Sequence, residues 1–392
     1  MPDTAVIEKP ITVLQFNSLL NGGGTDDQCL KLTEGLRQLG QRVWVAGPDQ
    51  HELSGRVRDL AVPFHSLPPT GPFRLRLILA AAKVVRRENV RILHGHHGRD
   101  FWPVIFAARL SGSHPKVVQT RHLAKSPSSW FTRRFLLGQC DAIIAVSQFV
   151  ADVLSQGAYE PASPEPERRA RPPLLGDHSK ILVIHGGIDT NQFRPLDAQE
   201  QRQAWGLAPE HFAFGVVGGY DLPRGKGQRE FLQAAARVHE KIADARFLII
   251  GRGSMEAALK DDIVRLGLKE KAILTPYCRD MPRAMNAIDC LVHPQIGTEA
   301  FPGVVLEAYA CGKPVIASRL DGIPEAFAAG ALGELILPGS IEQLSEALLK
   351  WARETRLTAQ RQQELHERIH MHFSVQVASQ KTLALYRRLQ DG

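Results

Sequence analysis

Two glutamates, Glu299 and Glu307, stand with seven residues between them in the segment GTEAFPGVVLEAYACGKPVIAS, residues 297–318. Pro302 suits the first turn of a helix, where a missing N–H costs nothing. Gly303, Val304 and Val305 then present free amides at the helix N-terminus, a place suited to a diphosphate. Glu307, about one turn further in, points a carboxylate toward sugar or ribose hydroxyls. Two lone glutamates are commonly a surface acid and a helix-capping acid; that reading is set aside here because of what surrounds them.

A second chemical segment is GGYDLPRGKG, residues 218–227, between an apolar strand and an amphipathic helical pattern. Arg224 and Lys226 reach a diphosphate at a strand's carboxyl end; a solvated basic turn is the competing reading. The run NGGGTD, residues 21–26, lets backbone approach a ligand closely. An ordinary tight turn explains it equally well, and it has neither the dinucleotide fingerprint nor a P-loop. Histidines gather at His94, His96 and His97, and again at His122. A metal cluster would need a carboxylate or cysteine at metal spacing beside them, and none is there. Ser147 reads as a helix cap.

These groups are set on alternating strands and helices. Ile11–Phe16, Val43–Ala46, Val90–His94, Lys116–Thr120, Ala142–Val146 and Lys180–Ile184 read as strands, with a helix from about Thr25 to Leu39. The alternation restarts with Phe212–Val217, Arg246–Ile250, Ala272–Thr275, Cys290–Val292 and Pro314–Ala317, and with a helix over Lys226–Lys241. Short apolar strands separated by helices indicate parallel sheets covered on both faces. The expected class is α/β, with two doubly wound domains facing one another. The expected bounds are 1–192, 193–373 and a last helix in 374–392 that returns to the first domain. Pro161–Pro173 reads as an exposed loop.

The Glu-x7-Glu segment, in its Glu-Ala-Phe-Pro-Gly form, resembles the signature of family 4 of the retaining glycosyltransferases, and the resemblance runs from about Ile11 to Phe327. It implies the GT-B fold, two Rossmann-like domains facing a cleft, with an acceptor half followed by a nucleotide-sugar half. It implies that Glu299 contacts the donor sugar, Glu307 the donor ribose, and the amides of Gly303 and Val304 the diphosphate, with Phe301 in the same donor-binding segment. It implies that Lys226 and an arginine stabilise the leaving nucleoside diphosphate. The family's usual arginine is Gly219 here, and Arg224 is expected to supply that charge. Gly23 and Gly24 match the family's glycine pair facing the donor phosphate, and Asp26 stands where a glutamate is usual. His122, in register with Thr120, matches the histidine facing the donor sugar, and Arg121 beside it suits an anionic acceptor. Gly251 belongs to a Gly-x-Gly turn lining the nucleotide pocket, and Tyr277–Arg279 approaches the base.

The resemblance therefore implies a hexosyltransferase using a UDP- or GDP-sugar, with no metal or other cofactor, in cell-surface polysaccharide or lipopolysaccharide synthesis. A nucleotide-sugar epimerase of the same fold, or a non-catalytic anion-binding protein, is the alternative. Composition agrees with a soluble globular chain. The net charge of +7 points to an anionic partner, and no aromatic-interleaved basic stripe supports nucleic acid. Five scattered cysteines without a CxxC pair fit a reducing cytosol. No apolar run approaches the ~20 residues of a membrane span. Phe73–Arg87 and Trp130–Leu137 mix apolar and basic residues and read for most of their length as amphipathic helices packed on the sheet; Arg133 and Arg134 beside Trp130 and Phe131 could also rest on an anionic inner-leaflet surface.

Overall fold

The computed structural model describes residues 9–20, 23–49, 52–68, 74–157, 172–222, 225–276, 278–354 and 356–391. The chain divides into two compact units, Met1–Gly187 with Val375–Gly392, and Ile188–Ser374. The division comes earlier than the expected 192/193 for a packing reason. Ile188 and Phe193 are already buried in the core of unit 2, and the Ile188 amide donates to the Phe373 carbonyl.

Unit 1 is built on a seven-stranded parallel sheet. Its strands are β1 (Thr12–Phe16), β2 (Arg42–Gly47), β3 (Phe64–Ser66), β4 (Ile92–Gly95), β5 (Lys116–Arg121), β6 (Ala142–Ala145) and β7 (Ile181–Val183). They lie in the order β3-β2-β1-β4-β5-β6-β7. Strands β1, β4 and β6 are buried end to end, as expected of apolar runs covered by helices on both faces. The edge strand β3 has no apolar run; His65 sits in its middle and none of its three residues is fully buried, so no sequence signal marks it.

The helix Val375–Asp391 belongs to unit 1 and packs on Gly24–Gln38. Gly35 permits the close crossing: a Cβ there would lie 2.1 Å from Ser379 Oγ. Tyr386, from the same helix, is fully buried in the unit 1 core.

Unit 2 repeats the plan with β8 (Phe212–Val217), β9 (Ala245–Ile250), β10 (Ala272–Leu274), β11 (Cys290–His293), β12 (Val315–Ser318) and β13 (Gly333–Ile336). The order is β10-β9-β8-β11-β12-β13, all parallel. The edge strand β13 (GELI) also escapes the sequence pattern, because Gly333 and Glu334 interrupt it. Both units are doubly wound, and in each the strand order reverses beside the first strand, between β1 and β4 and between β8 and β11. Open parallel sheets bind ligands at the carboxyl ends of strands at such a reversal.

Candidate active site

In unit 2 the reversal point carries the Gly218–Gly227 and Gly297–Ser318 segments. Lys226 Nζ lies 2.6 Å from Glu299 Oε2, so these two loops meet in an ion pair, partly open on the lysine side. Both partners are held from behind. The Lys226 stem passes over Gly218, whose φ of +138° admits glycine and little else. Its amide donates to Gln228 Oε1, while Gln228 Nε2 reaches the Gly219 carbonyl. The Glu299 amide and the Thr298 hydroxyl both donate to Asp321 Oδ2, at 3.1 and 2.7 Å.

The helix expected over Lys226–Lys241 runs Gln228–Val238. It starts late because Gly227 sits at φ +88°, with the Pro294 carbonyl 2.1 Å from where a Cβ would be. Pro302 also shifts. It stands just outside its helix in extended conformation (φ −77°, ψ 106°), and the helix is Gly303–Ala310. The Val305 amide is spent on the Pro302 carbonyl, so the first-turn amides left are those of Gly303 and Val304, with no side chain capping that end. Glu307 follows one turn later on the same helix, partly exposed.

Other expected residues divide between contact and support. Gly219 has room around it: a Cβ there would stay 3.7 Å or more from its neighbours. Gly251 is under stronger constraint, since a Cβ would sit 2.2 Å from the Gly218 carbonyl. With Gly253 it lets the loop after β9 lie against the loop after β8, and Tyr220 N–H seals them on the Arg252 carbonyl. Phe301 stacks toward Phe373, ring centroids 6.4 Å apart, and packs on the unit 2 core. Arg279 is exposed, beside Asp280, which caps the helix Met281–Ala287. Arg224, Tyr277, Asn21 and Gly22 lie outside the described residues, as does most of Pro161–Pro173.

His293, at the end of β11, lies one residue beyond the expected strand Cys290–Val292 and carries no sequence signal of its own; the structure places it in the site. It is 2% exposed, and neither ring nitrogen has a hydrogen-bond partner among the described residues. Burial pushes its pKa down to about 4, against the pull of Glu299 and with the push of Lys226. It is a neutral imidazole at physiological pH, behind the ion pair.

Unit 1 has a corresponding cluster at its own reversal point. Gly23 (φ +103°) precedes the helix Gly24–Gln38, and a Cβ on either glycine would meet nothing within 4 Å. Asp26 is fully buried in the first turn; its Oδ1 accepts from Asn17 Nδ2 at 2.7 Å and pairs with His97 Nε2 at 2.9 Å. His94, His96 and His122 form a stack, with centroids 4.4 and 5.9 Å apart. His94 is engaged on both nitrogens, by Tyr386 and Thr120, and His96 Nε2 by Gln15. His122 Nε2 is buried without a hydrogen-bond partner among the described residues, and the residue lines a small cavity of about 40 Å³ with Thr120, Gly186 and Gly187. Burial, with His97 and Arg121 nearby, pushes the His122 pKa to about 3. Ser147 caps Gln148–Ser155 through the Val150 amide.

Comparison with known proteins places these sites in context. The family model described as Glycosyltransferase Family 4 matches residues 22–162, and that described as Glycosyl transferases group 1 matches residues 211–354. The D-inositol 3-phosphate glycosyltransferase of Mycobacterium marinum is 32% identical over 179 residues, 44% of this chain and 37% of that protein. The chain thus spans little more than a third of that relative's length. The lipopolysaccharide core biosynthesis mannosyltransferase LpsB of Rhizobium meliloti is 25% identical over 341 residues, 85% of this chain and 82% of that one. Among solved structures, Alr3699/HepE of Anabaena in complex with UDP and glucose superposes with a TM-score of 0.76 at 21% identity, over 96% of this chain and 99% of that one.

Proposed function

The chain belongs to the family 4 glycosyltransferases of GT-B fold, and from that premise we propose that it moves a hexosyl group from a nucleotide diphosphate sugar to a hydroxyl of a glycan or lipid-linked acceptor. The configuration at the anomeric carbon is retained. The observation that carries this reading is the Lys226–Glu299 pair at the carboxyl ends of β8 and β11, beside the open first turn of Gly303–Ala310.

In this reading the diphosphate lies on the amides of Gly303 and Val304, with Lys226 neutralising the leaving group, and Arg224 adding the charge that Gly219 does not. Glu299 binds the transferred sugar and Glu307 the ribose. The bond from the anomeric carbon to the phosphate oxygen breaks while the bond to the acceptor oxygen forms on the same face. The acceptor proton passes to the departing phosphate. A lysine and helix amides suffice for that charge without a metal. A UDP- or GDP-sugar is the donor proposed; the Anabaena neighbour's complex with UDP and glucose supports the former. The LpsB likeness supports surface polysaccharide as the setting.

No described helix is long and apolar enough to cross a membrane. Trp130 and Phe131 are 62% and 53% exposed, with Arg133 and Arg134 in the same helix, Trp130–Phe135. We place this edge on an anionic membrane face.

A thermal-shift series with UDP, GDP and ADP tests the donor site, since a ligand that binds only the native state raises its stability. One of them should raise the melting temperature of the wild type and not of Lys226→Ala. No shift with any of them refutes the assignment, and turnover of a nucleotide sugar without acceptor would favour the epimerase.

A further inference from the structure

We propose that unit 1 carries a second oxyanion site, centred on Arg121, that takes a phosphoryl group on the acceptor. The proposal rests on reading unit 1 as the acceptor half of the enzyme.

Arg121, the last residue of β5, is only 5% exposed. A buried guanidinium is costly unless it is paired, and no carboxylate among the described residues pairs with this one. Its Nε and Nη2 both donate to a single acceptor, the Lys125 carbonyl. Nη1 has no hydrogen-bond partner among the described residues. Burial lowers its pKa to about 10, so it stays charged at neutral pH. The ring of Phe101 lies 5.8 Å from the guanidinium carbon, which is weak compensation. Gly98 makes room for the head group: a Cβ there would fall 2.5 Å from Nη1.

Arg121 borders a cleft of about 970 Å³ that Arg99, Lys125, Arg133, Ser129 and Thr132 also line, and none of the described lining residues is acidic. That volume is at the upper end of ordinary ligand pockets and holds a sugar with a substituent. Arg133 is fixed at the rim by Nη1 bonds to the Pro127 and Ser128 carbonyls, at 3.1 and 2.6 Å. Guanidinium groups held by their own backbone, with no acid opposite among the described residues, match the planar oxygens of a phosphate. The missing counter-charge is therefore the ligand's. This site uses none of the donor residues of unit 2.

The test is calorimetric titration of the full chain with inorganic phosphate and with glucose 1-phosphate, alone and with saturating UDP. Saturable binding that persists with UDP present, and that weakens at least tenfold in both Arg121→Gln and Arg99→Gln, supports the site. Arg99 is exposed, so its variant keeps the test valid if loss of Arg121 impairs folding. Retained phosphate binding in Lys226→Ala separates this site from the donor site, so either assignment can fail alone. Vesicles containing phosphatidylglycerol, competed by inorganic phosphate, tell a lipid-borne phosphate from a soluble one. Absence of saturable binding, displacement by UDP, or equal affinity in wild type and both variants overturns the proposal.

Discussion

Replacing Lys226 by alanine separates two roles that the ligand-free structure superimposes on one side chain. Unit charges about 4 Å apart attract by about 1 kcal/mol in water and about 4 kcal/mol at a protein-surface dielectric. Lys226 Nζ sits 2.6 Å from Glu299 Oε2, but the lysine side chain is 35% exposed. The pair's net contribution to stability therefore lies near the screened limit, about 1 kcal/mol or less. Toward a diphosphate the same ammonium is worth more, because it is already placed where charge develops. Losing one such stabiliser costs about 2.7–4 kcal/mol, or ~10²–10³ in turnover. Lys226→Ala should thus barely move the urea midpoint while lowering kcat/KM at least ~10²-fold. The companion Glu299→Gln releases the lysine. UDP should bind it as tightly as wild type or more tightly, while sugar transfer falls. Steady-state kinetics and UDP calorimetry on both variants decide the matter. Equal loss of UDP affinity in the two, or a Lys226→Ala chain with intact turnover, refutes the assignment.

Glu307→Gln should weaken UDP binding by about tenfold, the scale of a lost charged hydrogen bond, with a smaller effect on kcat; calorimetry against kinetics checks it. Gly251→Ala drives a Cβ to within 2.2 Å of the Gly218 carbonyl; denaturant unfolding should show a loss of about 1–3 kcal/mol, the range for overpacking, together with weaker UDP binding. His293 is held neutral to about pH 4, below the ~6.5 of a free imidazole, so the unfolded chain takes up the proton first. The stability this gives is complete above pH 6.5 and is lost as pH falls toward 4, on the order of 3 kcal/mol in all; stability of His293→Gln should fall less steeply over that window in urea unfolding. Trp130→Ser/Phe131→Ser should abolish co-sedimentation with anionic vesicles and leave UDP binding intact; unchanged sedimentation would remove the membrane face from the assignment.

Strands such as β8 and β11 announce themselves because both of their faces are buried, which forces a continuous apolar run. The edge strands β3 and β13 are not under that pressure, and a histidine and a glutamate inside them hide the pattern. Glu299, Lys226 and the Gly303 turn were legible because their types and spacing are local. Asp321 was not. It reaches the Glu299 amide from a loop beyond β12, and only the fold brings the two together. His293 failed differently: its chemistry comes from burial without a partner, which composition cannot register. Arg121 stood out by its neighbour His122, but that no described acid stands opposite it is a three-dimensional fact.

The return of the last helix makes unit 1 discontinuous: its polypeptide comes in two pieces with the whole of unit 2 inserted between Gly187 and Val375. During synthesis the ribosome releases all seven strands of the first sheet well before the helix that covers part of it. Until Val375–Asp391 arrives, the space that Tyr386 fills and the nitrogen of His94 that it bonds lack their partners. The second unit, by contrast, is a continuous stretch that can close on itself as it emerges. The order of maturation is thereby inverted relative to the order of translation, with the later-made unit completed first. The imidazole stack beside His122 is finished only when the tail docks, so the first unit's site gains its full structure after the second sheet is already in place.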